Sequence, residues 1–149
     1  MRARLTPILF VIVALACAAR GADRVLSPAT VDAAVAIQEA LAKDSLNGVR
    51  ANAEVLEKQG TELGATGAKI AAAARQLKDA SKIADARAAF GALSDAIVAH
   101  MDAAKLALPN DKVRIAFCPM AGKPWLQKDG PIQNPYYSTE MPTCGSFRK

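Results

Sequence analysis

From Pro28 to about Leu108 the apolar residues recur every three or four positions, and this period allows little but packed helices. "SPATVDAAVAIQEALAKDSL" opens with Ser27 and Pro28, suited to an N-cap and a first helical turn. Val31, Ala34, Val35, Gln38 and Leu41 then trace one face, and Asp44 or Ser45 is placed to recap a second helix. In that helix Leu46, Val49, Ala53, Leu56, Gly60 and Leu63 form the seam. "LGATGAK" (63–69) breaks the pattern, with Gly64 and Gly67 as stop and restart, and a shorter helix follows on Ile70, Ala74 and Leu77. The stretch beginning "KDASKIADARAAF" carries a last helix with Ile83, Phe90, Leu93, Ile97, Met101 and Ala104 on one face, ended by "LPND" (108–111). The many alanines allow helices to approach closely. The fold expected is mainly α: an antiparallel bundle of about four helices over residues 28–108.

After Pro109 the composition changes. "KVRIAF" (112–117) alternates like a short strand running into Cys118, and the remaining residues hold prolines 119, 124, 131, 135 and 142 with most of the aromatics. We expect an irregular cap over 109–149 with two or three short strands. Segments of this kind are usually functional or held by a staple.

The beginning of the chain reads differently. Arg2 and Arg4 precede the apolar run "ILFVIVALACAA" (8–19), the pattern of a secretory signal peptide ending near residue 21. The run is short for a membrane span, which needs about 20 apolar residues. "ALAC" (14–17) loosely matches a lipobox that would lipidate Cys17. Alanine at position 14 stands where leucine is usual, so we favour ordinary cleavage after Ala19 or Gly21. Residues 22–149 would then form one exported domain, periplasmic, or anchored to a membrane only if Cys17 carries lipid. The full chain has 19 Lys and Arg against 14 Asp and Glu; losing Arg2, Arg4 and Arg20 leaves 16 against 14. No basic stripe with interleaved aromatics is present, so nucleic acid is not an expected partner.

Two sulfur clusters stand in the cap: Cys118-Pro119-Met120 and Met141-Pro142-Thr143-Cys144. Soft cations such as Cu(I) prefer thiolate and thioether donors, so Cys118, Met120, Met141 and Cys144 are candidate metal ligands. His100, the single histidine, lies near the end of the last helix, where a chain folding back from Pro109 could bring Cys118 to it. The bland alternative is a Cys118–Cys144 disulfide, expected in an oxidising compartment and worth roughly 3–4 kcal/mol for a loop of this length. The methionines would then fill gaps in a small core, and His100 would be a hydrogen-bonded core histidine. Trp125 is expected to cap a small core and give its N–H to a backbone carbonyl. Asn134, Pro135 and Tyr136 read as a turn followed by an aromatic anchor. No G-x-S-x-G, P-loop, G-x-G-x-x-G or H-E-x-x-H occurs. A Cys118–His100 nucleophile pair lacks an identifiable orienting group, so we do not expect an enzyme.

The tail "FCPMAGKPWLQKDGPIQNPYYSTEMPTCG" resembles the signature of the DUF3347 family, a bacterial exported domain. The likeness rests on Cys118-Pro119-Met120-Ala121, Trp125-Leu126, Asn134-Pro135-Tyr136, and Met141 with Cys144-Gly145, and extends over roughly residues 28–147. Ser138 stands where the family often has glycine. Members of that family also occur fused to periplasmic adaptor subunits of copper/silver-type heavy-metal efflux pumps. The resemblance therefore implies a role in handling copper, with Cys118, Met120, Met141 and Cys144 as ligands. The partners it implies are heavy-metal efflux components or another periplasmic metal carrier. His100 is no part of that pattern.

Overall fold

The computed structural model describes residues 25–149; the signal-peptide reading and Cys17 lie outside them. The described chain is mainly helical, with a small three-stranded antiparallel sheet at its C-terminal end. Four helices run Pro28–Ala42 (α1), Val49–Glu62 (α2), Ala68–Asp79 (α3) and Ile83–Ala104 (α4), with a 3₁₀ turn at Gly64–Gly67. The strands are Val113–Cys118 (β1), Lys123–Lys128 (β2) and Ser146–Phe147 (β3), in the order β2-β1-β3. None of the described helices is long and apolar enough to cross a membrane.

The helical period found its faces. Val31, Ala34, Val35, Gln38 and Leu41 are all buried, as are Ile70, Ala74 and Leu77 and then Phe90, Leu93, Ile97 and Met101. Leu63 is the exception on the α2 seam and is exposed. α2 packs on α3, α3 on α4 and α1 on α2, whereas α1 and α4 barely meet and are bridged by β2. The ion pairs Lys128–Glu39 (2.7 Å) and Lys123–Asp95 fasten the two ends of β2 to α1 and α4 respectively. Gly60 sets how closely α2 and α3 approach, since a Cβ there would lie 2.5 Å from the Ala71 amide nitrogen. The start of the described chain is tied to the end of α4 by Leu26 N–H donating to the Ala107 carbonyl at 2.8 Å.

Helix ends departed from expectation where side chains found other partners. Ser27 occupies the N-cap position of α1, but its hydroxyl donates to Gln59 Oε1 at 2.9 Å and joins α1 to α2 instead. Neither Asp44 nor Ser45 caps α2. Asp44 turns the chain out of α1 with φ +54°, Ser45 Oγ accepts from the Asn47 N–H, and Gly48 with φ +75° precedes Val49. α4 begins at Ile83 rather than before Ala80, because the Ala80 backbone is extended. It ends at Ala104, ahead of "LPND", where Lys105 takes the left-handed conformation.

Candidate functional site

The sulfur site is built by sheet register. β1 and β2 form a hairpin whose last pair is Cys118 opposite Lys123, leaving Pro119–Gly122 as the turn. Gly122, at φ +63°, donates its N–H to the Cys118 carbonyl at 2.8 Å and closes it. On the other edge of β1, Phe117 pairs with Ser146 and Ala116 with Phe147. Continuing that antiparallel register sets Gly145 opposite Cys118 and brings Cys144, one residue earlier, to the end of β1. The strand can pass there because residue 145 is glycine: at φ +140°, a Cβ would stand 2.8 Å from Trp125 Cη2.

Cys118 Sγ and Cys144 Sγ consequently lie 2.9 Å apart as free thiols. Cys118 has no exposed surface, while Cys144 is half-buried. The Ala121 N–H donates to Cys118 Sγ at 3.4 Å. Burial pushes the Cys118 thiol up, but hydrogen bonds from the Cys144 thiol, the Ala121 N–H, the Asn134 amide and the Met120 N–H together hold it below its ordinary value. Cys144 moves the other way, raised by its hydrogen bond to Cys118, then by burial and by the Cys118 charge.

Asn134 holds the site together. It is 1% exposed, donates from Nδ2 to the Cys144 carbonyl at 2.8 Å, and accepts at Oδ1 from the Tyr136 and Tyr137 N–H groups at 2.8 and 3.1 Å. The expected turn over Asn134-Pro135-Tyr136 is thus formed, and its first residue also reaches both cysteines. Tyr136 is the aromatic anchor: its hydroxyl donates to the Pro124 carbonyl at 2.7 Å, and its ring meets Trp125 edge-on and Phe90 at a tilt. Burial pushes the Tyr136 phenol far above its ordinary range. Trp125 caps the small core as expected, but its N–H goes to the Gln127 side chain at 3.0 Å rather than to a backbone carbonyl.

The remaining predicted ligands are placed unequally. Met120 sits at the hairpin tip with its side chain 65% exposed. Met141 opens the turn into Cys144, its carbonyl accepting the Cys144 N–H at 3.1 Å. His100 is not brought to the sulfur pair. Lys123, the partner of Cys118, packs on α4 at Gly91, and His100 lies nine residues further along, about 13 Å at the helical rise. His100 instead lines a cavity of about 410 Å³ with Leu26, Ser27, Gln59, Glu62 and Leu106. The Cys118–His100 nucleophile pair is therefore not formed. Among the described residues no group of three or more His, Cys, Asp or Glu side chains is placed to hold a metal ion.

Sequence reasoning missed Gln127 and Arg87. Gln127 accepts from Trp125 and from the Gln133 N–H and donates to the Pro131 carbonyl at 2.7 Å, so it anchors the loop after β2. A glutamine two residues from the tryptophan, in an otherwise apolar stretch of strand, was the one signal that pointed to it. Arg87 on α4 donates to the Pro135 carbonyl at 2.9 Å and to Ser138 Oγ at 2.5 Å, and pairs with Asp44 at 2.7 Å. It thereby uses Ser138, and nothing in its local sequence announced the role.

Comparison of the chain with family models, with curated proteins and with solved structures finds no match.

Proposed function

We propose that the protein is an exported soft-metal-binding module that holds or passes on Cu(I) in the periplasm, with Cys118 and Cys144 as its thiolate donors. One observation carries this reading: two cysteine sulfurs 2.9 Å apart, one of them supplied with an N–H donor that favours its thiolate form. Soft, closed-shell cations prefer such donors, and metal binding requires thiols that part with their protons. Met120 at the exposed hairpin tip and Met141 at the turn into Cys144 stand next to the thiols along the chain, where a thioether could complete a low-coordinate site. The likeness of the tail to DUF3347, and that family's association with heavy-metal efflux adaptors, supports copper over a harder metal. Efflux components or another periplasmic carrier would then be the partners, receiving metal by exchange of one sulfur ligand for another, without a reaction catalysed by this chain. Within this reading the four helices are an antiparallel bundle that serves as a rigid base for the cap.

Two thiolates on one metal stand further apart than they do here. At metal–sulfur distances near 2.3 Å and the angle of about 120° that a three-coordinate site takes, their separation is about 4 Å. Loading would therefore open the pair by about 1 Å, with Cys144 moving, because Cys118 ends a paired strand and Cys144 lies in a turn. The same 2.9 Å contact favours a second reading, a Cys118–Cys144 disulfide in a structural or interaction domain of the cell envelope without metal. Competition titration of the reduced protein with Cu(I) against a chelator, under anaerobic conditions, separates the two. The metal reading expects one-to-one binding that is lost in Cys118→Ser and in Cys144→Ser. Absence of binding by the reduced wild type, with no free thiol on Cys118 or Cys144 as purified, would establish the disulfide.

A further inference from the structure

We propose that Cys144 is the site at which small thiols and disulfides react with this protein, and that Cys118 is the internal sulfur that resolves or is released from the resulting adduct. The inference concerns the metal-free pair and stands whether or not the pair also binds Cu(I). It rests on an asymmetry of access and support. Cys118 has no exposed surface, ends β1 as a paired strand residue, and accepts an N–H from Ala121 in the turn that follows. Cys144 is half-buried, follows the exposed Pro142 and Thr143, and presents the reachable sulfur of the two. A reagent from solution meets Cys144 first, and Cys118 waits 2.9 Å behind it.

The chemistry balances in both directions with a low-molecular-weight disulfide or thiol as the only co-reactant. For oxidation, Cys144 gives its proton to solvent and its thiolate attacks one sulfur of the small disulfide. The disulfide's own bond breaks, a mixed disulfide forms on Cys144, and one small thiolate leaves. Cys118 then gives up its own proton, and its thiolate attacks Cys144 Sγ, forms the internal bond and expels the second small thiolate; the two small thiolates take up the two protons. The protein has lost two electrons and the small disulfide has gained two. For reduction, a small thiolate attacks Cys144 Sγ and expels Cys118 as a thiolate, which the Ala121 N–H is already placed to receive. A second small thiolate removes the first as a disulfide and frees Cys144. Attack on Cys118 from solution would require the cap to open first, because that sulfur belongs to a residue with no exposed surface.

The test uses reduced, metal-free protein and oxidised glutathione, with acid quenching and peptide mapping by mass spectrometry. Cys118→Ser is expected to accumulate glutathione on Cys144. Cys144→Ser should acquire it on Cys118 roughly tenfold more slowly or worse, since a sulfur without exposed surface reacts only through local opening. Equal or faster modification of Cys118 would overturn the proposal. Should either variant fold poorly, limiting iodoacetamide on the reduced wild type asks the same question without a substitution. Alkylation of Cys144 ahead of Cys118, by a similar factor, supports the assignment, and alkylation of Cys118 first or at an equal rate refutes it. Cu(I) titration of the same reduced preparation reports separately on the metal reading, so failure of one leaves the other standing.

Discussion

Replacing Asn134 with alanine is the sharpest structural test of how the cap is held. Besides its contact with the Cys118 sulfur, the side chain makes three hydrogen bonds to the backbone, to the Cys144 carbonyl and from the Tyr136 and Tyr137 amides, at a position 1% exposed. Alanine would leave those three backbone groups without their partner. A buried polar group stripped of its partner costs about 1–3 kcal/mol. Tyr137 is only half-buried and Cys144 likewise, so water can recover part of that, and a total of about 3 kcal/mol is the reasoned figure. Urea denaturation followed by tryptophan fluorescence reads it directly, because Trp125 lies in the same cluster. The reactivity of the cysteines adds a second readout: Cys118 should become easier to alkylate once Cys144 is no longer held by its carbonyl. Asn134→Asp keeps the two accepted bonds but sets a buried carboxylate against the Cys144 carbonyl and the Cys118 sulfur in place of the amide donor, so in neutral conditions it should be no more stable than alanine. A loss below about 1 kcal/mol for Asn134→Ala would refute the view that this residue clamps the two sulfur segments together.

Other perturbations test the scaffold. Gly60→Ala would ordinarily help a helix by about 1 kcal/mol, but its Cβ would meet the Ala71 nitrogen, and a net destabilisation of about 2 kcal/mol is expected by chemical denaturation; a gain would contradict the close α2–α3 approach. Tyr136→Phe removes the hydroxyl that satisfies the Pro124 carbonyl and should cost about 1–2 kcal/mol in the same assay, whereas an unchanged midpoint would mean that this bond contributes nothing. Glu57 is held below its ordinary carboxyl value chiefly by the Lys78 hydrogen bond and then by Arg75. A depressed carboxyl stabilises the fold above its unfolded value and loses that contribution as pH falls through the folded one. Between about pH 6 and about pH 3, the melting temperature of Glu57→Gln should therefore fall less than that of the wild type, and parallel profiles would argue against the pairing.

The helical half was legible because burial and period are one phenomenon: a residue such as Leu56 or Ile97 is in the core for the reason that makes it recur on one face. Helix ends were less so. Ser27, Asp44 and Ser45 all have capping chemistry, and which partner each takes depends on what the fold brings close, here Gln59 for Ser27 and the Asn47 amide for Ser45. The cap divides in the same way. The Asn134 turn is local and could be read directly, and the meeting of Cys118 with Cys144 was open to inference from their shared composition. The placement of His100 was not. Helical rise along α4 carries it away from the hairpin, a distance no local pattern encodes. Arg87 reaches across the molecule to Pro135 and Ser138, and contacts of that separation leave no mark in the residues beside it.

Whether the two cysteine sulfurs hold a soft metal is tested most directly by copper X-ray absorption on reduced protein loaded with one equivalent of Cu(I), compared with His100→Ala. The expected result is a first shell of sulfur alone, identical in the two proteins, and lost when Cys118 or Cys144 is replaced by serine. A shell containing imidazole nitrogen that disappears in His100→Ala, or copper that fails to stay with the reduced protein, would contradict the proposed site.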